Sequence, residues 1–201
     1  MLDTIYIISY KYQGVWNSIL DICKKRYTDL GFKTEIVEGF SLKEHTHIKP
    51  NEVVYLNFLY KVLPILEKSN EVGILVSEDD AYVSSFFTPE FLNCRLEEYD
   101  YKNNIIRIGY QKVLNLHEKP RGYICVGNQL TWIPKSLLSK LKEDMHRKRP
   151  QHLDCYFSKN LNILEIVLDK EIQKKNKYVK EIEHYSFAVG KVRKGLKIKD
   201  I

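Results

Sequence analysis

Apolar positions recur along this chain with two periods, and stretches of the two kinds alternate. Thr4 to Ser9 is a short apolar run that predicts a buried strand, whereas Val15 to Leu30 shows helical spacing at Val15, Ile19, Ile22, Cys23 and Leu30, with Gly31 as a stop. Lys33 to Val37 predicts a second strand. Glu44 to Pro50 is polar, and Asn51 to Lys68 returns to the helical period, with Pro64 placed to kink or split that helix. Val72, Ile74, Leu75 and Val76 then form an apolar run too short for a helix, ending abruptly at Glu78, Asp79 and Asp80. Strands joined by helical crossovers predict a parallel α/β core with right-handed connections.

The second half is more mixed. Thr88-Pro89-Glu90 reads as an N-cap with proline at the first helical position, starting a helix toward Leu96. Asn104 to Tyr110 is a strand candidate, and His117 to Arg121 is irregular. Tyr123 to Val126 and Gln129 to Ile133 are short strands around Gly127-Asn128, which suits a tight turn. Pro134 to Met145 is amphipathic, with Leu137, Leu138 and Leu141 on one side, and Asn162 to Leu168 is a further strand. The pattern holds no internal repeat and no low-complexity segment.

At 201 residues the chain fits one domain with a substantial core. No apolar stretch reaches the roughly 20 residues that span a bilayer. The amino terminus lacks a basic leader and a small-residue cleavage site, so it reads as a first strand and the expected location is the cytoplasm. Cys23, Cys94, Cys125 and Cys155 form no CxxC pair and are expected as reduced core thiols. The net charge of +6 suits an anionic ligand, but the excess is uneven. It gathers in the segment from Lys170 onward. There Gly190-Lys191-Val192-Arg193-Lys194-Gly195 sets basic residues beside glycines, where backbone can approach a phosphate, while the part before Lys180 reads as a solvated face.

Three adjacent carboxylates at a strand's carboxyl end are the sharpest chemical signal. That edge of an open α/β sheet is where ligands bind, and the acids repel one another unless water, donors or a cation relieve them. Mg²⁺ or Mn²⁺ takes oxygen ligands and leaves positions for a substrate's phosphates. The competing interpretation is an acidic turn capping a helix that begins near Ala81.

Ile5-Tyr-Ile-Ile-Ser-Tyr-Lys11 with Trp16 downstream, Leu75-Val-Ser-Glu-Asp-Asp-Ala81, and Gln129-Leu-Thr-Trp-Ile-Pro134 followed by Leu153-Asp154 together resemble the GT-A fold glycosyltransferases, notably the family 25 type and the small glycosyltransferases of large DNA viruses, the chlorovirus type. Among these motifs only the acidic block is specific on its own. The arginine usual in the family's opening loop is not evident after Lys11, and residues 98–121 match no part of the pattern. The resemblance implies a single α/β domain with a mixed, mainly parallel sheet flanked by helices. In it, residues 1–80 form the nucleotide-binding half, 81–170 the acceptor half and 171–201 a basic C-terminal segment. It implies a metal-dependent transfer of a sugar from a nucleotide-diphosphate donor, by family habit a UDP-sugar, to an acceptor hydroxyl with inversion. Asp80 would bind Mn²⁺ or Mg²⁺, and Glu78 or Asp79 would contact the ribose or orient the site. Ser9, Tyr10 and Lys11 would frame the base and ribose, their alternative being an ordinary strand-to-helix turn. His184 would complete the metal site and Lys191 touch the diphosphate, though the spacing from His184 to Gly190-Lys191 is longer than the family's usual version. A hydrogen-bonded structural histidine is the other reading of His184. Asp154 would be the general base, its alternative being a dipole-favoured helix-start residue. Trp132 and Tyr156 would either face an acceptor sugar or sit in the core.

Two other functions fit parts of the pattern. A nucleic-acid-binding or nucleic-acid-modifying protein is suggested by the pI of about 8.9 and 14 tyrosines. Against it, the basic residues cluster near the end instead of interleaving with aromatics. A nucleotidyltransferase would share the metal, but Tyr10-Lys-Tyr-Gln-Gly14 is a poor glycine-rich phosphate loop.

Overall fold

The computed structural model describes residues 2–9, 15–40, 49–79, 81, 83, 85–109, 112–115, 123–126, 130–153, 156–157 and 163–165, with backbone alone at 15–19, 50–51, 109, 112–115, 123–126 and 163–165. Among the described residues, eight strands and five α-helices follow one another: β1 (Thr4–Ser9), α1 (Val15–Asp29), β2 (Lys33–Glu38), α2 (Pro50–Asn57), α3 (Leu63–Lys68), β3 (Gly73–Glu78), α4 (Pro89–Glu97), β4 (Ile105–Gly109), β5 (Lys112–Asn115), β6 (Tyr123–Val126), β7 (Leu130–Pro134), α5 (Leu138–Arg147) and β8 (Ile163–Glu165). The main sheet has the order β2-β1-β3-β7-β4-β8. β1 pairs in parallel with β2 and β3, β4 with β8, and β7 runs antiparallel between β3 and β4. The predicted mainly parallel, helix-flanked sheet is therefore the observed one.

Each face of the sheet carries its own core. Ile5, Ile7, Leu75, Ile106, Ile108, Leu130 and Trp132 pack against Cys23 and Tyr27 of α1 and Leu92 and Leu96 of α4. Ile8, Ile74, Val76, Ile105 and Ile133 pack on the opposite face against Tyr55, Phe58, Val62, Leu63 and Leu66, with Leu141 and Met145 of α5 beyond. Side chains two apart along a strand share a face, so the central strands are apolar at nearly every position because both of their faces are covered.

Pro64 acts as its chemistry requires. It lies in the first turn of α3, and between α2 and α3 the helix widens into a π-turn at Phe58–Val62, where the Leu63 N–H donates to the Phe58 carbonyl five residues back. Proline has no N–H for the carbonyl four residues earlier, and the wider turn absorbs that mismatch without ending the helix.

Two expectations are corrected. β6 does not form a hairpin with β7; it pairs antiparallel with β5, from Lys112 opposite Val126 to Asn115 opposite Tyr123, while β7 enters the middle of the main sheet. β7 is buried at all five positions, and only a central strand can cover both of its faces. Gly127 to Gln129 lie outside the described residues. Among the cysteines, Cys23 is a buried thiol as expected, but Cys94 is exposed, being on the outer side of α4. No helix among the described residues is long and apolar enough to cross a membrane.

Candidate active site at the carboxyl edge of the sheet

The ends of β1, β2 and β3 meet at one edge. Ile8 lies opposite both Val37 and Glu78, and Ser9 opposite Glu38, so Ser9 and the first carboxylate of the acidic block sit on neighbouring strands one register step apart. Ser9 is buried, Glu78 is half-buried, and Asp79 is only 1% exposed. Glu78 and the exposed Glu38 at the end of β2 are thus described carboxylates with access to a ligand at this edge, whereas Asp79 is buried in protein.

The turn that carries these acids is held from below by α1. The Ser77 hydroxyl donates to the Glu78 carbonyl at 2.8 Å and sits 3.0 Å from the Tyr27 hydroxyl. The Cys23 thiol reaches the same carbonyl at 3.7 Å, the Ala81 N–H donates to it at 3.3 Å, and Arg26 Nε donates to the Val83 carbonyl at 2.9 Å. Cys23, Arg26 and Tyr27 are spaced three and four apart on α1 and so share one helical face. The helix-capping interpretation of the acids does not survive: the next helix is α4, starting at Pro89, and its cap is Thr88, whose hydroxyl accepts from the Phe91 N–H at 3.3 Å.

Beside Ser9, the chain leaves β2 through Gly39. Its N–H donates to the Ser9 carbonyl at 2.9 Å, and the next N–H, of Phe40, donates to the Asn57 side-chain oxygen at 2.6 Å. A Cβ on residue 39 would stand 2.7 Å from Asn57 Nδ2 and 3.0 Å from the Ser9 carbonyl, so only glycine lets the two strand ends approach this closely. Asn57 is fully buried at the start of the π-turn.

On the far side of the edge, residues 153, 156 and 157 are helical. Leu153, Tyr156 and Phe157 are buried in the sheet's second core, Phe157 edge-on to Phe58 and Tyr156 edge-on to Tyr55. The Tyr156 hydroxyl donates to the Asp144 carboxylate at 2.8 Å, which also accepts from Lys148 at 2.9 Å. Burial opposes ionisation of Asp144, but these two donors and the nearby lysine charges outweigh it and hold the carboxyl below its ordinary range. Burial, with Asp144 alongside, pushes the Tyr156 hydroxyl well above the usual tyrosine range. Trp132 is also fully buried, its indole N–H donating to the Tyr101 carbonyl at 2.7 Å. Both aromatics belong to the core and present no face to an acceptor.

Tyr10, Lys11, Asp80, Asp154, His184 and Lys191 lie outside the described residues. The structure brings Ser9, Glu78 and Asp79 together and places Leu153 and Tyr156, the neighbours of Asp154, on the same side of the sheet as Ile8 and Val76. Among the described residues no group of three or more His, Cys, Asp or Glu side chains could hold a metal ion, so Glu78 and Asp79 would need Asp80 or His184 to complete one. Sequence reasoning gave Cys23 only as a helical core position and missed Arg26, Tyr27, Gly39, Asn57, Arg107 and Thr131. Helical spacing from Cys23 could have flagged Arg26 and Tyr27. Arg107 and Thr131 are fully or nearly buried polar residues on facing positions of β4 and β7, and no motif announces them.

No protein-family profile matches the sequence, and no curated protein matches it. Solved structures do. A crystal structure of a glycosyltransferase involved in the glycosylation of the major capsid of PBCV-1 superposes with a TM-score of 0.55 at 12% identity, over 90% of this chain and 90% of that one. The fold is shared with a viral glycosyltransferase. The GT-A resemblance read from the first 160 residues is thereby borne out at the level of fold, across nearly the whole length of both chains. A putative protein from Aquifex aeolicus, Aq1419, is similar at a TM-score of 0.48 and 12% identity, over 88% of this chain and 90% of that one.

Proposed function

We propose that this chain is a glycosyltransferase that moves a sugar from a nucleotide-diphosphate donor, a UDP-sugar, to an acceptor hydroxyl with inversion at the anomeric carbon. The observation that carries the reading is the carboxyl edge itself. β1 and β3 end side by side with a half-exposed Glu78 above a buried Asp79, in a fold shared with a glycosyltransferase. Ser9 and the following Tyr10 and Lys11 would frame the nucleoside. Glu78 would accept from the ribose hydroxyls. Asp79 would act from within, orienting the turn that presents Asp80.

The chemistry asks the protein to hold a diphosphate leaving group, to keep the sugar aligned and to take a proton from the acceptor. Lys191 supplies a cation for the diphosphate, and Asp154 the base that deprotonates the acceptor hydroxyl as it attacks the face opposite the leaving group. Asp80 and His184 are the residues that would hold Mn²⁺ or Mg²⁺, an ion that neutralises charge developing on the diphosphate when bound. Acceptor and donor would therefore meet between the β3 edge and residues 153–157.

The test is a titration of uridine, guanosine and thymidine diphosphates, each with and without Mn²⁺. Saturable uridine diphosphate binding strengthened by Mn²⁺ supports the proposal. Failure of all three to bind removes it, and salt-sensitive binding of an oligonucleotide in their place would favour a nucleic-acid partner.

A further inference from the structure

Among the described residues, three donors converge on one backbone oxygen at the end of β3. The Glu78 carbonyl accepts from the Ala81 N–H at 3.3 Å and from the Ser77 hydroxyl at 2.8 Å, and the Cys23 thiol reaches it at 3.7 Å. The Ala81 bond closes a four-residue turn from Glu78 to Ala81, and the two residues between its ends are Asp79 and Asp80. Where that one oxygen lies therefore decides where the turn presents its carboxylates.

Behind the carbonyl stands a further hydroxyl. Ser77 has a single proton and gives it to the carbonyl, so in its 3.0 Å contact with Tyr27 the phenol is the donor. Tyr27, Ser77 and the Glu78 carbonyl thus form a directed chain in which each hydrogen bond polarises the next. Tyr27 and Ser77 are both fully buried, and the tyrosine ring packs edge-on to Phe32 at 6.1 Å within the first core. That packing needs the ring and not its oxygen. The carbonyl does not need it either: an acceptor oxygen has two lone pairs, and the Ala81 N–H and the Ser77 hydroxyl already meet them. What the phenol adds is direction, because a serine hydroxyl rotates to suit its surroundings and Tyr27 holds it on the carbonyl.

We propose that Tyr27 is a positioning residue for the metal site, acting through Ser77 and the Glu78 carbonyl to fix the turn that contains Asp79 and Asp80. The inference rests on the glycosyltransferase reading above and deepens it. Groups one layer behind the ligands of a metal orient them, and removing one such group typically costs about 10–100-fold in metal affinity. Tyr27 is buried and acts from that layer. The same face of α1 grips the chain beyond the turn, where Arg26 Nε donates to the Val83 carbonyl at 2.9 Å.

The test titrates uridine diphosphate, with and without Mn²⁺, into the full chain and into Tyr27→Phe, Ser77→Ala and the double variant, with folding checked by urea denaturation. The readout is the ratio of the two affinities. General loosening of the protein lowers both and leaves the ratio, whereas a displaced turn lowers the Mn²⁺-dependent affinity alone. Tyr27→Phe should lower the ratio about tenfold or more. Ser77→Ala should lower it at least as far, and the double variant no further than Ser77→Ala, because residues acting in series are not additive. A parental ratio in either single variant, or losses that add in the double one, would overturn the positioning role while leaving uridine diphosphate binding intact, and Ser77→Ala decides alone if the tyrosine variant does not fold. Absence of Mn²⁺-strengthened binding in the parent would instead sink the metal-dependent reading on which the proposal rests.

Discussion

Replacing Tyr156 by phenylalanine removes one oxygen atom and should loosen the helical residues 156 and 157 on the second core. The ring stays packed: it is fully buried, edge-on to Tyr55 and against Phe157. What disappears is the 2.8 Å hydrogen bond to the Asp144 carboxylate. A hydrogen bond to a charged group is worth roughly 1.5–3 kcal/mol. Asp144 keeps Lys148 and is about a third exposed, so water replaces part of the loss, and we expect about 1–2 kcal/mol at neutral pH. In urea this lowers the midpoint by roughly 0.5 M with an unchanged slope. The pH dependence identifies the partner. Asp144 is held below its ordinary range, so its contribution is complete above the pKa of about 4 that it has in the unfolded chain, and is lost as pH falls through the lowered folded value. Tyr156→Phe raises Asp144 back toward the ordinary range, so the difference between variant and parent should shrink below about pH 4. At the other extreme, Tyr156 prefers its neutral form in the fold, so the parent should lose stability as pH rises past about 10 and the variant should lose less. Equal urea midpoints at pH 7, or a difference that stays constant from pH 7 to pH 3, would refute the assigned role of this bond.

Two further outcomes are expected. Gly73→Ala should destabilise by about 3 kcal/mol, measured by the same denaturation, because a Cβ there would lie 2.5 Å from the Ile133 carbonyl and 2.6 Å from a Trp132 ring pinned by its bond to Tyr101; an unshifted midpoint would mean that the β3–β7 pairing is slacker than described. Asp154→Asn should leave donor affinity intact while slowing transfer by ~10²–10⁴-fold at saturating acceptor, with inverted configuration in the residual product; parental turnover would return Asp154 to the role of a helix-start residue, and a retained configuration would overturn single displacement.

The first three strands and their crossovers were legible because each is a local signal: an apolar run, a helical period, a glycine stop. β7 was legible as a strand but not as a partner. Pairing is set by which faces are buried, and Leu130 to Pro134 carries no mark that says it will separate β3 from β4. The same limit applies to the site. Ser9 and Glu78 could be placed together from the rule that parallel strands end at one edge, and their register confirms the neighbourhood. That Asp79 would be buried while Glu78 stays half-exposed could not be read, since adjacent residues on a strand end differ only in which way the pleat turns them. Thr131 was hidden for the opposite reason. A threonine in a β-strand is so ordinary that only its buried hydroxyl, without a hydrogen-bond partner among the described residues, distinguishes it.

If the acids ending β3 bind a nucleotide diphosphate through a metal ion, calorimetric titration of uridine diphosphate into the parent and Asp80→Ala, with and without Mn²⁺, should show it. Binding in the parent should depend on Mn²⁺ and be lost in Asp80→Ala, with thermal unfolding of the variant within about 1 kcal/mol of the parent, because relieving carboxylate repulsion at an open edge creates no cavity. Equal Mn²⁺-dependent affinities in the two proteins would contradict it and leave the acidic block a structural turn.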